Sequence, residues 1–229
     1  MNSAASWDNL CDRSTPNAEP FGSPARALGA FFEMLGELPR CLIARERRPA
    51  PPRDVKTLAG DRDCLHRIVR PGVYALTTPL HARPNMAGII IAADNVELRL
   101  CGCELVGCRG SRDAIIVRGR NCTIRDGAIR DWGHSGVDAM RAVRCRLENM
   151  HCFHNGLYGI LLGKQGEAVG CSVSENGGPG METDAACTIV NCAAQGNWQR
   201  GFIHGSDSVS FGLISTVNNV SRSVDGAHA

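Results

Sequence analysis

Gly159-Ile160-Leu161-Leu162, Gly180-Met181-Glu182-Thr183 and Gly201-Phe202-Ile203-His204 are the stretches that decide the fold. Each opens on a glycine, continues with short β-prone side chains, and follows its predecessor by 21 residues. Toward the amino terminus the same beat recurs at Gly136-Val137-Asp138-Ala139, Ala114-Ile115-Ile116-Val117 and Gly88-Ile89-Ile90-Ile91, with steps of 23, 22 and 26 residues. A second beat trails each first one: Val96-Glu97-Leu98, Cys122-Thr123-Ile124, Cys145-Arg146-Leu147, Glu167-Ala168-Val169, Cys187-Thr188-Ile189 and Val209-Ser210-Phe211. One such unit cannot bury its own apolar face. It must stack on the next, which predicts an all-β solenoid.

Neighbouring strand residues point to opposite faces, so each beat sorts into columns. Ile89, Ile115, Val137, Ile160, Met181 and Phe202 form an inward column, and Ile91, Val117, Ala139, Leu162, Thr183 and His204 a second one, weakest at its last two members. The outward column between them reads Ile90, Ile116, Asp138, Leu161, Glu182, Ile203. Four apolar residues facing outward imply cover by the amino-terminal segment, a partner or a ligand. In the second beat Cys122, Cys145 and Cys187 share a column with Val96 and Val209, and Cys103 and Cys152 share a later one with Ile129. These are places for small buried hydrophobes. Asp126, Asn149 and Asn191 recur at a turn, where left-handed backbone and a stacked polar ladder are expected.

Composition sets the outer bounds. With 43% hydrophobic and 21% charged residues the chain can bury a core, and 5% aromatics beside 26 glycines suits a narrow core with many tight turns. A net charge of +2 argues for neither nucleic acid nor an anionic membrane as partner. No basic start followed by an apolar run marks an export signal, so the expectation is a cytoplasmic protein whose twelve cysteines are reduced. Ala27 to Leu38 is too short and too charged to span a bilayer.

The domain plan follows from shifts in pattern. Residues 1–24 read as a tail. Residues 25–65 read as an amphipathic capping helix, with Leu28, Phe31, Phe32, Leu35 and Leu38 on one face, and then a Pro/Arg-rich linker from Arg48 to Arg53. Residues 66–220 form the solenoid, whose first, imperfect coil would turn Val73, Ala75 and Thr77 inward, and residues 221–229 are a tail.

The runs Pro71-Gly72-Val73-Tyr74, Gly88 to Gly107 and Asn121 to Gly133 resemble the bacterial right-handed parallel β-helix repeat proteins of the pectin-lyase-like superfamily. The resemblance spans about residues 66 to 220. It implies a right-handed parallel β-helix with three parallel sheets per turn, here of about six to seven coils. In members that are enzymes it implies lyase, hydrolase or epimerase action on polysaccharides. No Tyr-Gly-Phe-Asp-Pro-His segment and no strand-borne array of aspartates is present, so no catalytic role carries over.

Candidate chemistry is therefore read from position. Asp138 and Glu182 stand two coils apart in the outward column, roughly 9.5 Å at parallel-strand spacing, near the wide end for an inverting carboxylate pair. His134, His151 and His154 lie in the turns near them, and His134 and His154 join Asp138 and Glu182 as acid–base candidates. Arg141 and Lys164 are the candidates for holding an acidic sugar. Cys101, Cys103 and Cys108 lack the paired spacing of a zinc site, and nothing in the motifs calls for a cofactor. Two functional readings follow: a carbohydrate-directed protein, or a non-catalytic scaffold that self-associates through an open carboxyl-terminal coil or its apolar outward face.

Overall fold

The computed structural model describes residues 52–219. Every strand pairing is parallel and joins one coil to the next. The first sheet has seven strands, Cys64–Ile68, Ala87–Ile91, Ile115–Val117, Val137–Ala139, Ile160–Leu162, Met181–Thr183 and Phe202–Ile203, stacked in chain order. Seven coils result. The second sheet runs from Gly72–Ala75 through Val96–Arg99 to Glu167–Val169, Thr188–Val190 and Val209–Phe211. The third runs from Leu80–His81 through Glu104–Val106 to Ser172–Ser174, Ala193–Gln195 and Ile214–Thr216. Two strands, Thr123–Arg130 and Arg146–Phe153, pass unbroken through the corner between the second and third sheets and fuse them.

The core is one cluster of stacked inward residues. Ile89, Ile115, Val137, Ile160 and Met181 stack on the first sheet, Tyr74, Leu98, Ile124, Leu147, Ala168 and Ile189 on the second, and Leu105, Ile129, Cys152, Val173 and Ala194 on the third. Each fully buried aliphatic side chain contributes about 1.5–3 kcal/mol. Stacking along the axis is what makes that burial available.

Each of the three corners is turned by a file of residues with left-handed backbone. The first corner, between the first and second sheets, stacks Asn95, Asn121, Arg144, Gln165, Ala186 and Asp207. The second stacks Asp126, Asn149, Gly170, Asn191 and Gly212, and here the expected ladder forms, with Asn149 Nδ2 donating to Asp126 Oδ1 at 3.0 Å. Gly170 interrupts it, and both partners are on the outside of the bend. The third corner stacks Asp131, His154, Glu175, Gly196 and Val217.

Several register expectations are corrected. Val96, Cys122, Cys145 and Cys187 are buried as expected, but Val209 pairs with Thr188 and points outward, leaving Ser208 in the cysteine column. Leu105, not Cys103, pairs with Ile129, because the corner at Leu100-Cys101-Gly102-Cys103 is longer than its counterpart at Asp126-Gly127. In the first coil Tyr74 and Leu76 face the core in place of Val73, Ala75 and Thr77, since Tyr74 pairs with Leu98 and Val73 with Glu97. A slip of one residue inverts every side chain of a strand. Thr183 is buried as an inward residue and accepts from the Gly205 amide at 3.2 Å, whereas His204 lies past the strand end and is exposed. Ile90, in the outward column where cover was expected, is 2% exposed and packs with Cys64 and Ala87, while Ile116, Leu161 and Ile203 are half-buried.

Residues 53–65, the end of the segment placed ahead of the solenoid, enter the fold. Arg53–Asp54 pairs with Tyr74 and Ala75, and Val55 is fully buried. The expected capping helix and both tails lie outside the described residues. Among the described residues no helix is long and apolar enough to cross a membrane.

Candidate functional site

The first sheet places Asp138, Leu161 and Glu182 in one outward file, each paired with the next. Asp138 Oδ1 accepts from the Met140 amide at 3.1 Å, which closes a local turn. Glu182 is a charged neighbour of Tyr158, one coil back. The Tyr158 pKa is pushed up, first by burial and then by that carboxylate.

His134 and His154 sit on the connection from the third sheet to the first, and they neighbour different acids. His134 is exposed, with Nδ1 3.6 Å from Asp113 Oδ2. His154 stands in the third-corner file, with Nε2 2.7 Å from Glu175 Oε2 and Nδ1 3.8 Å from Asp131 Oδ1. His151 Nδ1 is 2.7 Å from Ser172 Oγ on the outside of the third sheet. Asp138 and His154 line separate recesses. Asp138 shares one of about 180 Å³ with Arg118, Arg141, Ile116 and Val117, and His154 shares one of about 500 Å³ with Asp131, Glu175 and Trp198.

Arg141 and Lys164 belong to a larger feature at the first corner. Three consecutive coils cross that corner as Arg118-Gly119-Arg120, Arg141 to Arg144, and Gly163-Lys164-Gln165. Arg118, Arg120, Arg141, Arg144 and Lys164 are all exposed there, and none forms an ion pair among the described residues. Arg144 Nε donates to Asn121 Oδ1 at 2.7 Å, and the Arg120 and Arg144 amides are held by Asp94 Oδ1 and the Lys164 carbonyl. These bonds hold the corner, and its cationic side chains stand near Asp94 and Asp138 without pairing to them. The outside of the second sheet is the contrast: Glu97 bridges Arg99 and Arg125, and Arg146 bridges Glu148 and Glu167. Arg99 first, and Arg125 after it, hold the Glu97 carboxyl below its usual pKa.

Sequence reasoning named Arg141 and Lys164 but missed Arg118, Arg120 and Arg144. The available signal was their shared place between the first and second beats. It also missed a buried asparagine ladder: Asn155, Asn176, Asn197 and Asn218 follow one another at the 21-residue period. Asn155 Nδ2 donates to Asn176 Oδ1 at 3.0 Å, Asn176 Nδ2 to Asn197 Oδ1 at 2.9 Å, and Asn197 Nδ2 to Asn218 Oδ1 at 2.8 Å. Trp132, 1% exposed, ends the ladder, with its amide donating to Asn155 Oδ1 and its indole N–H to the Leu105 carbonyl.

A family profile described as the right handed beta helix region matches residues 83–219, more than half of the chain. The chain belongs to the right-handed β-helix family. No curated protein and no solved structure matches it. The matched region takes in the stripe of cations and both recesses of this β-helix. Among the described residues no three His, Cys, Asp or Glu side chains are grouped to hold a metal ion.

Proposed function

We propose that this β-helix is a carbohydrate-directed protein whose first corner binds an acidic polysaccharide. The observation that carries the reading is the cluster of Arg118, Arg120, Arg141, Arg144 and Lys164, exposed and without ion pairs across one corner of three successive coils. Coils rise by about 4.8 Å each, so the stripe offers positive charge repeatedly along a line. A linear polyanion presents its carboxylates or sulfates in the same manner. Guanidinium groups bind such groups in a planar, two-pronged fashion, which favours the four arginines as the specific contacts.

Binding needs no catalytic step here. Asp138 is bonded into its own turn, Glu182 lies beside Tyr158, and His134 and His154 stand by other acids. The test is affinity electrophoresis of the purified chain through gels containing polygalacturonate or, as a neutral control, dextran. Retardation by polygalacturonate alone supports the reading. Equal mobility in the two gels refutes it, and the appearance of unsaturated uronate absorbance would show a lyase step in addition.

Self-association is a second reading, favoured by the last described coil. Phe211, Ile214 and Val217 are more than 60% exposed. The strands Phe202–Ile203, Val209–Phe211 and Ile214–Thr216 are each paired on one edge only among the described residues. Open edges of that kind template further pairing. A concentration-dependent dimer that Phe211→Glu abolishes would support a second copy as the partner, and a monomer at all concentrations would exclude it.

A further inference from the structure

The first coil holds a recess of about 510 Å³, within the range of roughly 300–1,000 Å³ usual for small-ligand sites. Its walls come from Cys64–Ile68 and Leu80–His81, the first strands of the first and third sheets, and from the single helical turn Val55–Thr57. Of its lining residues only Arg83 and Met86 fall inside the family match at 83–219, so the recess belongs to this chain's own first coil. It shares no residue with the cationic corner. Cys64, His66 and His81 all line it, but they are not grouped to hold a metal ion.

The charged groups around the recess divide into paired and free. Asp61, the one carboxylate in the lining, accepts from the Asp63 and Cys64 amides and pairs with Arg67. Asp54, outside the lining, accepts from the Lys56 amide and the Thr77 hydroxyl. Lys56 Nζ donates to the Pro79 carbonyl at 2.9 Å, which draws the ammonium to the recess wall and leaves two of its protons unused. His81 and Arg83 are exposed, and their side chains form no hydrogen bond or ion pair among the described residues. His66 pairs with Ile89 and so takes an inward place at the end of the core, where its Nδ1 lies 2.9 Å from the Leu58 carbonyl oxygen and the ring is fixed. Leu80 is buried and Leu65 and Met86 are half-buried, which gives the lining an apolar part.

We propose that this recess binds a small phosphomonoester. Its phosphate carries about −1.5 to −2 charges at neutral pH and three strong acceptor oxygens. The Arg83 guanidinium takes two of those oxygens in its planar fork, and the spare Lys56 protons and the His81 ring meet the third. The apolar body of the ester lies against Leu65, Leu80 and Met86. A carboxylate, with one charge and two oxygens, satisfies fewer of these donors. The inference does not rest on the polyanion reading, and either can fail alone.

The test is a calorimetric titration of the full chain at neutral pH with phenyl phosphate, with inorganic phosphate, and with benzoate as the carboxylate control. Saturable binding is expected for phenyl phosphate, weaker binding for inorganic phosphate, and the weakest for benzoate. Arg83→Gln should weaken phenyl phosphate binding about tenfold, the scale of losing one charge-assisted contact. Lys56→Gln should weaken it as well, and Arg83→Gln, which removes no bond of the fold, decides the matter should Lys56→Gln fail to fold. The Arg118→Ala, Arg141→Ala, Lys164→Ala triple variant should leave phenyl phosphate binding unchanged, and Arg83→Gln should leave polygalacturonate binding unchanged. Absence of saturable phenyl phosphate binding, equal affinity for benzoate, or binding that survives Arg83→Gln would overturn the assignment.

Discussion

Asn176 illustrates how much one side chain does in a stacked fold. Its Oδ1 accepts from both the amide and the side chain of Asn155, and its Nδ2 donates to the Cys152 carbonyl and to Asn197, all in the buried interior. Asn176→Ala strands the Asn155 amide and the Cys152 carbonyl away from water. At about 1–3 kcal/mol for each orphaned group, urea unfolding should show a loss of about 2–5 kcal/mol. Asn149→Ala removes an exposed ladder bond and should cost under about 1 kcal/mol. The contrast explains why one ladder was legible and the other was not. Asp126, Asn149 and Asn191 were read through the turn preference of Asn and Asp, a local rule, whereas a buried amide relay follows only from knowing which residues stack. Cysteines separate in the same way. Burial pushes the Cys152 thiol up to about 12 and raises that of Cys145 strongly, while Cys101 is exposed. Brief alkylation of the native protein at mildly alkaline pH, read by peptide mass spectrometry, should label Cys101 and spare Cys145 and Cys152.

Strand and corner form the next scale, where the period was readable and the phase sometimes was not. The apolar columns of the first sheet follow from simple alternation. Gly72-Val73-Tyr74-Ala75 did not yield its phase, because small and aromatic residues occupy both faces and only pairing with Val96–Arg99 fixes which is inward. Val209-Ser210-Phe211 fails for a related reason: its apolar residues point outward, and its inward position is a serine. In a solenoid each coil is stabilised mainly by its neighbours, so a terminal coil with a polar inward face should open most readily. Hydrogen exchange should be faster for amides of residues 209–216 than for those of residues 146–153, and equal protection would contradict this. The ionised corners and sheets also set an acid response. Asp61 is held at about 2, chiefly by the Asp63 amide and also by Arg67, and Glu97 is lowered by Arg99 and Arg125. Folded values below the unfolded ones, near 4, give stability that is present above about pH 4 and lost as pH falls through the folded values. Thermal melting should therefore fall between about pH 5 and about pH 2, and Glu97→Gln should flatten the upper part of that fall.

At the scale of the whole molecule the net charge of +2 conceals a segregated surface. Among the described residues, carboxylates and guanidinium groups pair on the second sheet, acids pair with Arg130 and His154 at the third corner, and the cations of the first corner form no ion pair. Composition averages over all of this. The register separates it, because residues 21 to 26 apart become vertical neighbours. The period alone made the fold legible, but the stripe needed both the period and the assignment of Arg118, Arg120 and Arg144 to one corner.

The most direct test is a calorimetric titration of polygalacturonate into the wild-type chain and into the Arg118→Ala, Arg141→Ala, Lys164→Ala triple variant across a range of salt. Screening shortens from about 10 Å at 0.1 M to about 3 Å at 1 M, so wild-type affinity should fall steeply with salt. Three exposed contacts, each worth about 0.2–1 kcal/mol, should make the variant roughly tenfold weaker and its salt dependence shallower. Wild-type binding that is indifferent to salt, or a triple variant that binds as tightly as the wild type, would contradict the account.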